Sequence, residues 1–188
     1  MIKKIITLLI SLLVFTVSVQ AATMDEFREV AREATRVCAT YKNPCIVMAI
    51  PHDKMWANTR FGGDIRVSTE LIYTMNKAQL RGVIYHEVGH HVLNHIEKLV
   101  EFMMEHPTDG VYNREVYNAF RRKHELEADR FAIHLSLFLF NDADLEGALK
   151  ILTPPEDYYK THPSHPSTYE RVRQMELIRR NHRGKYGL

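Results

Sequence analysis

The chain has 188 residues, of which 45% are hydrophobic and 26% charged, and its formal net charge is +2. This composition is typical of a globular protein with one sizeable core, and the length is short for two domains, so a single domain is predicted. The small net charge, without a basic stripe interleaved with aromatic residues, excludes a nucleic-acid partner.

The first 22 residues predict a signal peptide. Lys3 and Lys4 give a positive start, residues 5–19 are apolar apart from hydroxyl side chains, and Ala21 is the small residue that a signal peptidase prefers. Cleavage near this point leaves residues 23–188 as one exported domain, periplasmic or secreted. The alternative is an uncleaved anchor, although the apolar stretch is shorter than the roughly 20 residues of a membrane-spanning helix.

The next segment predicts an amphipathic helix that ends before Asn43 and Pro44. Its apolar residues repeat at helical spacing from Phe27 to Tyr41. Cys38 and Cys45 are the only cysteines, and an even number in an oxidising compartment favours one disulfide between them. Two buried free thiols are the alternative.

Short strands are predicted after this helix. Residues 45–50 form an apolar run bounded by prolines, and residues 64–68 alternate in polarity. The intervening residues 55–63 predict a further strand and a turn.

A long helix is predicted from Lys77 to about Met104, with Asn76 as its N-cap and no proline inside it. It carries His86 and His90, which are four residues apart and therefore reach one metal ion from the same face. Glu87 flanks the pair, so the His-Glu-x-x-His pattern provides half of a catalytic zinc site.

Three other residues of this helix need separate interpretations. His91 and His95 form a second pair that should point to the opposite side, and we interpret them as solvated or satisfied within the core. Gly89 costs about 1 kcal/mol inside a helix, which indicates the close approach of another backbone.

The third metal ligand must come from another segment. Leu93 and Ile96 stand where an HExxHxxGxxH motif would have glycine and histidine, so that motif is excluded. A second predicted helix, roughly residues 114–140, carries Glu125 and Asp129 on one face. One carboxylate can complete the site while the other orients a ligating histidine; the alternative is a solvated acidic face balanced by nearby arginines.

The last part of the chain predicts a cover over the domain. Residues 142–152 should form a short helix that ends at Pro154 and Pro155, and residues 158–166 form a loop rich in proline and histidine. Ser167 or Thr168 can cap a last helix that runs to about residue 181.

These motifs resemble those of the M48 family of zinc metallopeptidases, a gluzincin group that includes prenyl-protein endopeptidases and bacterial envelope proteases. The resemblance covers residues 43–179, and its ExxADxxA element is far more specific than HExxH. The residues that carry it are His86-Glu87-x-x-His90, Glu125-x-x-Ala128-Asp129-x-x-Ala132, and His165-Pro166 followed by Arg171.

The resemblance implies an α+β fold: a mostly helical, zincin-like domain with about three strands beside the HExxH helix. It implies that Glu125 is the third ligand of one zinc ion, that Asp129 orients a ligating histidine, and that an edge strand near Asn58 pairs with an extended substrate. The spacing to Arg171 makes His165 a better match than His162. We hypothesise that His165, or else His162, acts as a fourth ligand in a latent state or as a transition-state donor; an incidental surface loop is the alternative.

The predicted function is zinc-dependent endopeptidase activity (EC 3.4.24 type) on proteins or peptides of the cell envelope, with Glu87 as general base and acid. Misfolded or misassembled proteins are the expected substrates, and association with a membrane or an envelope complex is left open. Two alternatives are a catalytically latent, zinc-bound chaperone-like or binding protein, and a structural helical protein whose HExxH is accidental.

Overall fold

The computed structural model describes residues 20–106, 114–139 and 141–186. Residues 1–19, which carry most of the predicted signal peptide, lie outside the described residues. Within the described part, helices dominate, and a short 3-10 helix lies at Pro155–Asp157. In chain order the helices and strands are α1 (Met24–Thr40), β1 (Ile46–Ile50), β2 (Ala57–Thr59), β3 (Asp64–Ser68), α2 (Thr69–Thr74), α3 (Lys77–Val92), α4 (His95–Glu105), α5 (Arg114–Leu139), α6 (Leu145–Leu152) and α7 (Thr168–Tyr186).

The three strands form one small mixed sheet, which confirms the predicted α+β fold. β3 lies in the centre and pairs in parallel with β1 and antiparallel with β2. β2 is therefore an edge strand, and it packs against α3, the helix that carries the HExxH motif. No helix among residues that the structure describes is long and apolar enough to cross a membrane.

Helix α3 is the central element of the core. Asn76 caps its first turn, because the side chain of Asn76 accepts a hydrogen bond from the backbone N–H of Gln79 and the Gln79 side-chain oxygen accepts one from the backbone N–H of Asn76. Leu80, Ile84 and Val88 are fully buried along its length. α1, α5 and α6 all pack on α3, which explains why this helix is buried around most of its circumference.

The predicted single helix from Lys77 to Met104 is wrong, because the structure divides it into α3 and α4. Asn94 has a φ of 55° and a ψ of 41°, a left-handed conformation that asparagine tolerates better than most residues. The Asn43 side-chain amide donates to the Asn94 side-chain oxygen and to the backbone carbonyl of His91. These contacts stabilise the break and change the direction of the chain before His95.

Gly89 lies where α3 and α5 cross, as its position inside a helix predicted. A Cβ atom at this position would be 3.1 Å from both the Cα and the carbonyl oxygen of Ala128 on α5. A side chain here would crowd the α5 backbone, so glycine favours this close approach of the two helices. The crossing brings the HExxH residues of α3 next to the acidic residues of α5.

A disulfide joins Cys38 in the last turn of α1 to Cys45, directly before β1, as the sequence predicted. Phe27, Val30 and Ala34 lie on the buried face of the same helix. The bond therefore fixes the end of α1 to the start of the sheet.

Three further elements differ from the predicted ones. α2 was not predicted, because six residues are too few for a clear periodic pattern. α6 begins at Leu145 rather than at residue 142, since the Asp144 side chain caps it. α7 extends to Tyr186 rather than to about residue 181, and Ser167 caps its start through reciprocal hydrogen bonds with Glu170.

Candidate metal centre

Helices α3 and α5 bring three metal-ligating side chains to one point. The Nε2 atoms of His86 and His90 are 3.1 Å apart, as expected for residues separated by about one helical turn. From α5, Glu125 places Oε2 3.4 Å from His86 Nε2 and Oε1 3.7 Å from His90 Nε2. All three side chains are largely removed from solvent.

The spacing of these atoms fits a tetrahedral zinc ion. Ligand atoms at about 2.0 to 2.2 Å from zinc lie about 3.3 Å from one another in a tetrahedron. The separation of 3.1 Å between the two histidine Nε2 atoms and that of 3.4 Å between His86 Nε2 and Glu125 Oε2 are close to this value, and the other Glu125 oxygen, Oε1, lies 3.7 Å from His90 Nε2. The residues present therefore form a suitable site for one zinc ion, with a fourth position open to other groups.

Asp129 and Arg171 lie directly behind His86. Asp129 is fully buried, and its Oδ1 lies 2.8 Å from His86 Nδ1. Arg171 of α7 donates two hydrogen bonds of 2.6 and 2.7 Å to the two oxygens of the same carboxylate. Burial alone would raise the pKa of Asp129, but Arg171 outweighs it and lowers the pKa to about 2. Asp129 is therefore ionised and holds the His86 ring in one orientation.

The surrounding charges favour a cation between the side chains. Burial would lower the pKa of His86, but its contacts with Asp129 and Glu125 outweigh this effect and raise the pKa to about 9. Burial and the neighbouring His86 lower the pKa of His90 to about 3. Burial would raise the pKa of Glu125, yet His86 and His90 lower it below the usual carboxyl range. Two buried carboxylates thus stabilise positive charge here, which a divalent cation supplies.

Glu87 lies beside the three potential ligands and contacts the edge strand. The Thr59 hydroxyl is 2.8 Å from Glu87 Oε2 and 2.7 Å from the Glu87 carbonyl oxygen. Burial raises the pKa of Glu87 above the usual carboxyl value. The carboxylate is therefore restrained by β2, and its environment favours proton uptake.

These residues face a cavity of about 340 Å³. One side of the cavity is the edge strand β2, where Asn58 is exposed, and another consists of apolar side chains of α6, including Leu145 and Leu149. The structure therefore places the predicted Asn58 on the same cavity as Glu87. An extended peptide lying along β2 would find hydrogen-bonding backbone on one side and an apolar surface on the other.

The structure separates the two candidate histidines of the later loop. His165 Nε2 is 3.4 Å from Glu125 Oε1, and the side chain is 40% exposed. The Ser164 hydroxyl contacts Nδ1 of both His165 and His162. Burial lowers the pKa of His165. Only His165 of the two lines the cavity, so the structure brings it to the metal centre and leaves His162 outside.

Sequence reasoning did not identify Thr59, and it assigned no role to Arg171 or His95. Thr59 meets Glu87 across a separation of 28 residues, which no local pattern reveals. Arg171 was only part of a motif, although it holds Asp129. His95 was expected to point away, whereas it contacts His90 after the chain turns at Asn94.

The comparisons with known proteins gave one finding. A family model described as Peptidase family M48 matches residues 19–111 and 111–178, which together span most of the chain. The matched ranges contain all of α3 and α5, and hence His86, Glu87, His90 and Glu125. A comparison with curated proteins gave no match.

The pair formed by Arg171 and Asp129 predicts a large effect on stability. We expect Arg171→Met to lower the free energy of unfolding by about 3–5 kcal/mol, because Asp129 would remain buried without its charged partner. The matched control is Arg180→Met on the same helix, since Arg180 is 75% exposed and its contact with Glu176 is 3.8 Å long. That change should cost less than about 1 kcal/mol. Urea denaturation measures both, and equal losses would contradict the prediction.

Proposed function

The chain belongs to peptidase family M48, and we propose that it is a zinc-dependent endopeptidase that cleaves proteins of the cell envelope, including misfolded or misassembled ones. Family membership implies metallopeptidase activity. The observation that carries the finer proposal is the convergence of the potential ligand atoms of His86, His90 and Glu125 beside Glu87.

His86, His90 and Glu125 would hold the metal. When bound there, zinc supplies a Lewis acid that polarises the scissile carbonyl and lowers the pKa of a water molecule. Asp129 accepts a hydrogen bond from the Nδ1–H of His86, which leaves the Nε2 lone pair of His86 directed at the site. Arg171 keeps Asp129 ionised and in place.

Glu87 acts as general base and then as general acid. Its carboxylate accepts a proton from the attacking water while the water oxygen bonds to the scissile carbonyl carbon. The same proton then passes to the leaving amine nitrogen as the C–N bond breaks, a role worth about 10² to 10⁴ in rate. Thr59 restrains the Glu87 carboxylate, and the raised pKa of Glu87 brings it closer to the pKa that a proton-transferring group needs near neutral pH.

The substrate binds as an added strand beside β2. The edge strand offers backbone hydrogen bonds that do not depend on sequence, and Asn58 lies at the centre of that strand. The apolar surface of α6 accepts a side chain on the opposite side of the cavity. Recognition mainly through backbone suits a protease that acts on exposed, unfolded segments.

Two observations support the location in the envelope. The first 22 residues have the pattern of a signal peptide. Cys38 and Cys45 are joined in the structure, and disulfides persist in oxidising compartments outside the cytosol.

A second candidate function is a catalytically latent, zinc-bound chaperone-like or binding protein. The proximity of His165 Nε2 to Glu125 Oε1 favours it, because a histidine at this distance can compete with water for the fourth ligand position. Under this alternative the cavity would bind peptides without cleaving them.

Glu87→Gln should retain zinc and lose turnover, because the amide keeps the shape of the side chain but accepts no proton. We expect one zinc per chain by elemental analysis and a fall of about 10² to 10⁴ in the cleavage of unfolded casein. A chelator should abolish the activity of the wild-type protein.

The matched variant Glu125→Ala should lose the zinc itself. Glu115→Ala, an exposed position on the same helix, should keep both the zinc and the activity. Undiminished proteolysis by Glu87→Gln would refute this mechanism.

His165→Ala distinguishes the two candidate functions. If His165 competes with water, the variant should cleave casein faster than the wild-type protein; if it stabilises the transition state, kcat should fall while zinc content stays constant. His162→Ala is the control, because His162 lies outside the cavity. Unchanged activity and zinc content in His165→Ala would remove both roles.

Comparison of cells that express the full chain with cells that express Glu87→Gln tests the substrate class and the location. We expect peptides from envelope proteins to accumulate only with the active enzyme, measured by mass spectrometry of the envelope fraction. The same measurement should find the mature chain without residues 1–22. Peptides derived only from cytosolic proteins would contradict the envelope assignment.

A further inference from the structure

A second group of side chains lies behind His90, on the side away from the cavity. It consists of His95 at the start of α4 with His124 and Glu127 on α5. We propose that His95 is a positioning residue that accepts a hydrogen bond from the Nδ1–H of His90 and so fixes the tautomer in which His90 Nε2 faces the metal. This inference rests on the proposed function, because it takes His90 to be a metal ligand.

The contact between the two rings involves one defined nitrogen from each. His95 Nδ1 lies 3.0 Å from His90 Nδ1, which is hydrogen-bond distance. His90 Nε2 lies on the other edge of its ring, toward His86 and Glu125. His95 is only 2% exposed, so water does not compete for this contact.

These contacts allow only one arrangement of protons when His90 binds a cation. A histidine that binds through Nε2 carries its proton on Nδ1, and among the described residues His95 is the acceptor within hydrogen-bond distance of that proton. His95 Nδ1 must then be an unprotonated acceptor, which places the His95 proton on Nε2. His90 in the opposite tautomer would present an N–H to the metal and could not bind it.

Glu127 lies where the proton on His95 would need an acceptor. His95 Nε2 is buried and has no hydrogen-bond partner among the described residues, yet Glu127 Oε2 is only 3.2 Å away. Because the Glu127 side chain is 34% exposed, burial does not fix its carboxylate in this orientation. Glu127 thus favours the tautomer of His95 that His90 requires.

The ring of His95 is held in place by stacking. His95 and His124 are parallel within 3°, with ring centroids 4.2 Å apart, and Phe120 packs edge-on against His124. This arrangement also argues against a second metal ion bound jointly by both histidines. The nitrogen lone pairs lie in the ring planes, so stacked rings direct them along parallel planes rather than toward one point.

Asn94 explains how His95 reaches His90 at all. On a continuous helix His95 would lie 140° around the axis from His90, because five residues at 100° each make 500°. Asn94 adopts a left-handed backbone conformation, which interrupts the helix after α3 and lets α4 start in a new direction. His86 and His90 are therefore supported by different groups, the former by the Asp129 carboxylate and the latter by a neutral imidazole.

The most direct test measures tautomers in the zinc-loaded full chain. Two-bond ¹H–¹⁵N correlation spectra of protein labelled with ¹⁵N-histidine distinguish Nδ1–H from Nε2–H rings, and His→Gln variants assign the signals. We expect His90 as the Nδ1–H form and His95 as the Nε2–H form. Finding His95 as the Nδ1–H form, or protonated on both nitrogens, would overturn the proposal.

Matched variants test the same contact through zinc affinity. His95→Phe keeps the stacking on His124 but removes the acceptor, so zinc should bind about 10- to 100-fold more weakly in competition with a chromophoric chelator. His95→Gln should restore part of the affinity, because its amide oxygen can accept from His90. His124→Phe, which keeps the stack and leaves His95 intact, should bind zinc as the wild-type protein does.

The outcomes separate this inference from the proposed function. A wild-type chain that binds one zinc and cleaves casein, with a His95→Phe variant of undiminished affinity, would overturn the role of His95 alone. Two zinc ions per wild-type chain, with one lost in both His95→Phe and His124→Phe, would show a second metal site instead. A wild-type chain that binds no zinc would remove the proposed function and this inference together. If His95→Phe does not fold, the tautomer measurement on the wild-type protein decides.

Discussion

The buried carboxylate of Asp129 is the contact on which the remaining arrangement depends. It lies on α5, accepts two hydrogen bonds from Arg171 on α7 and contacts Nδ1 of His86 on α3, so that one anionic group joins three helices. A carboxylate removed from water costs several kcal/mol unless charged groups and hydrogen bonds compensate it. Any packing that separated these helices would leave charges buried without partners. The cost of burial therefore enforces the geometry in which His86 meets Glu125.

The parts of the fold and site that the sequence predicted depend on short-range spacing. His86 and His90 share a face because a helix repeats every 3.6 residues, and α1, α5 and the strands β1 and β3 follow from similarly local patterns. Gly89 also carried a readable signal, because glycine inside a helix indicates a close neighbour. The choice of Glu125 over Asp129 as the candidate ligand came from the resemblance to a family. No spacing within α5 distinguishes the two carboxylates.

The parts that could not be predicted depend on contacts between distant residues. The break between α3 and α4 is stabilised by Asn43, which lies 51 positions before Asn94, while the local sequence from Lys77 to Met104 favours a continuous helix. Placing His95 on the wrong side of that helix concealed its contact with His90. Thr59 is similar, because its approach to Glu87 exists only once the edge strand packs on α3. Local propensity loses to tertiary packing at each of these positions.

The disulfide has an effect that extends beyond the two elements it joins. Asn43 lies inside the short covalent ring closed by Cys38 and Cys45, and its side chain holds the turn at Asn94. The backbone carbonyl of the same residue also accepts from the His91 ring. This buried covalent bond thus limits how far the start of α4 can move, and with it the His95 ring that lies against His90. Formation of the disulfide is therefore linked, through Asn43, to the position of the His95 ring beside His90.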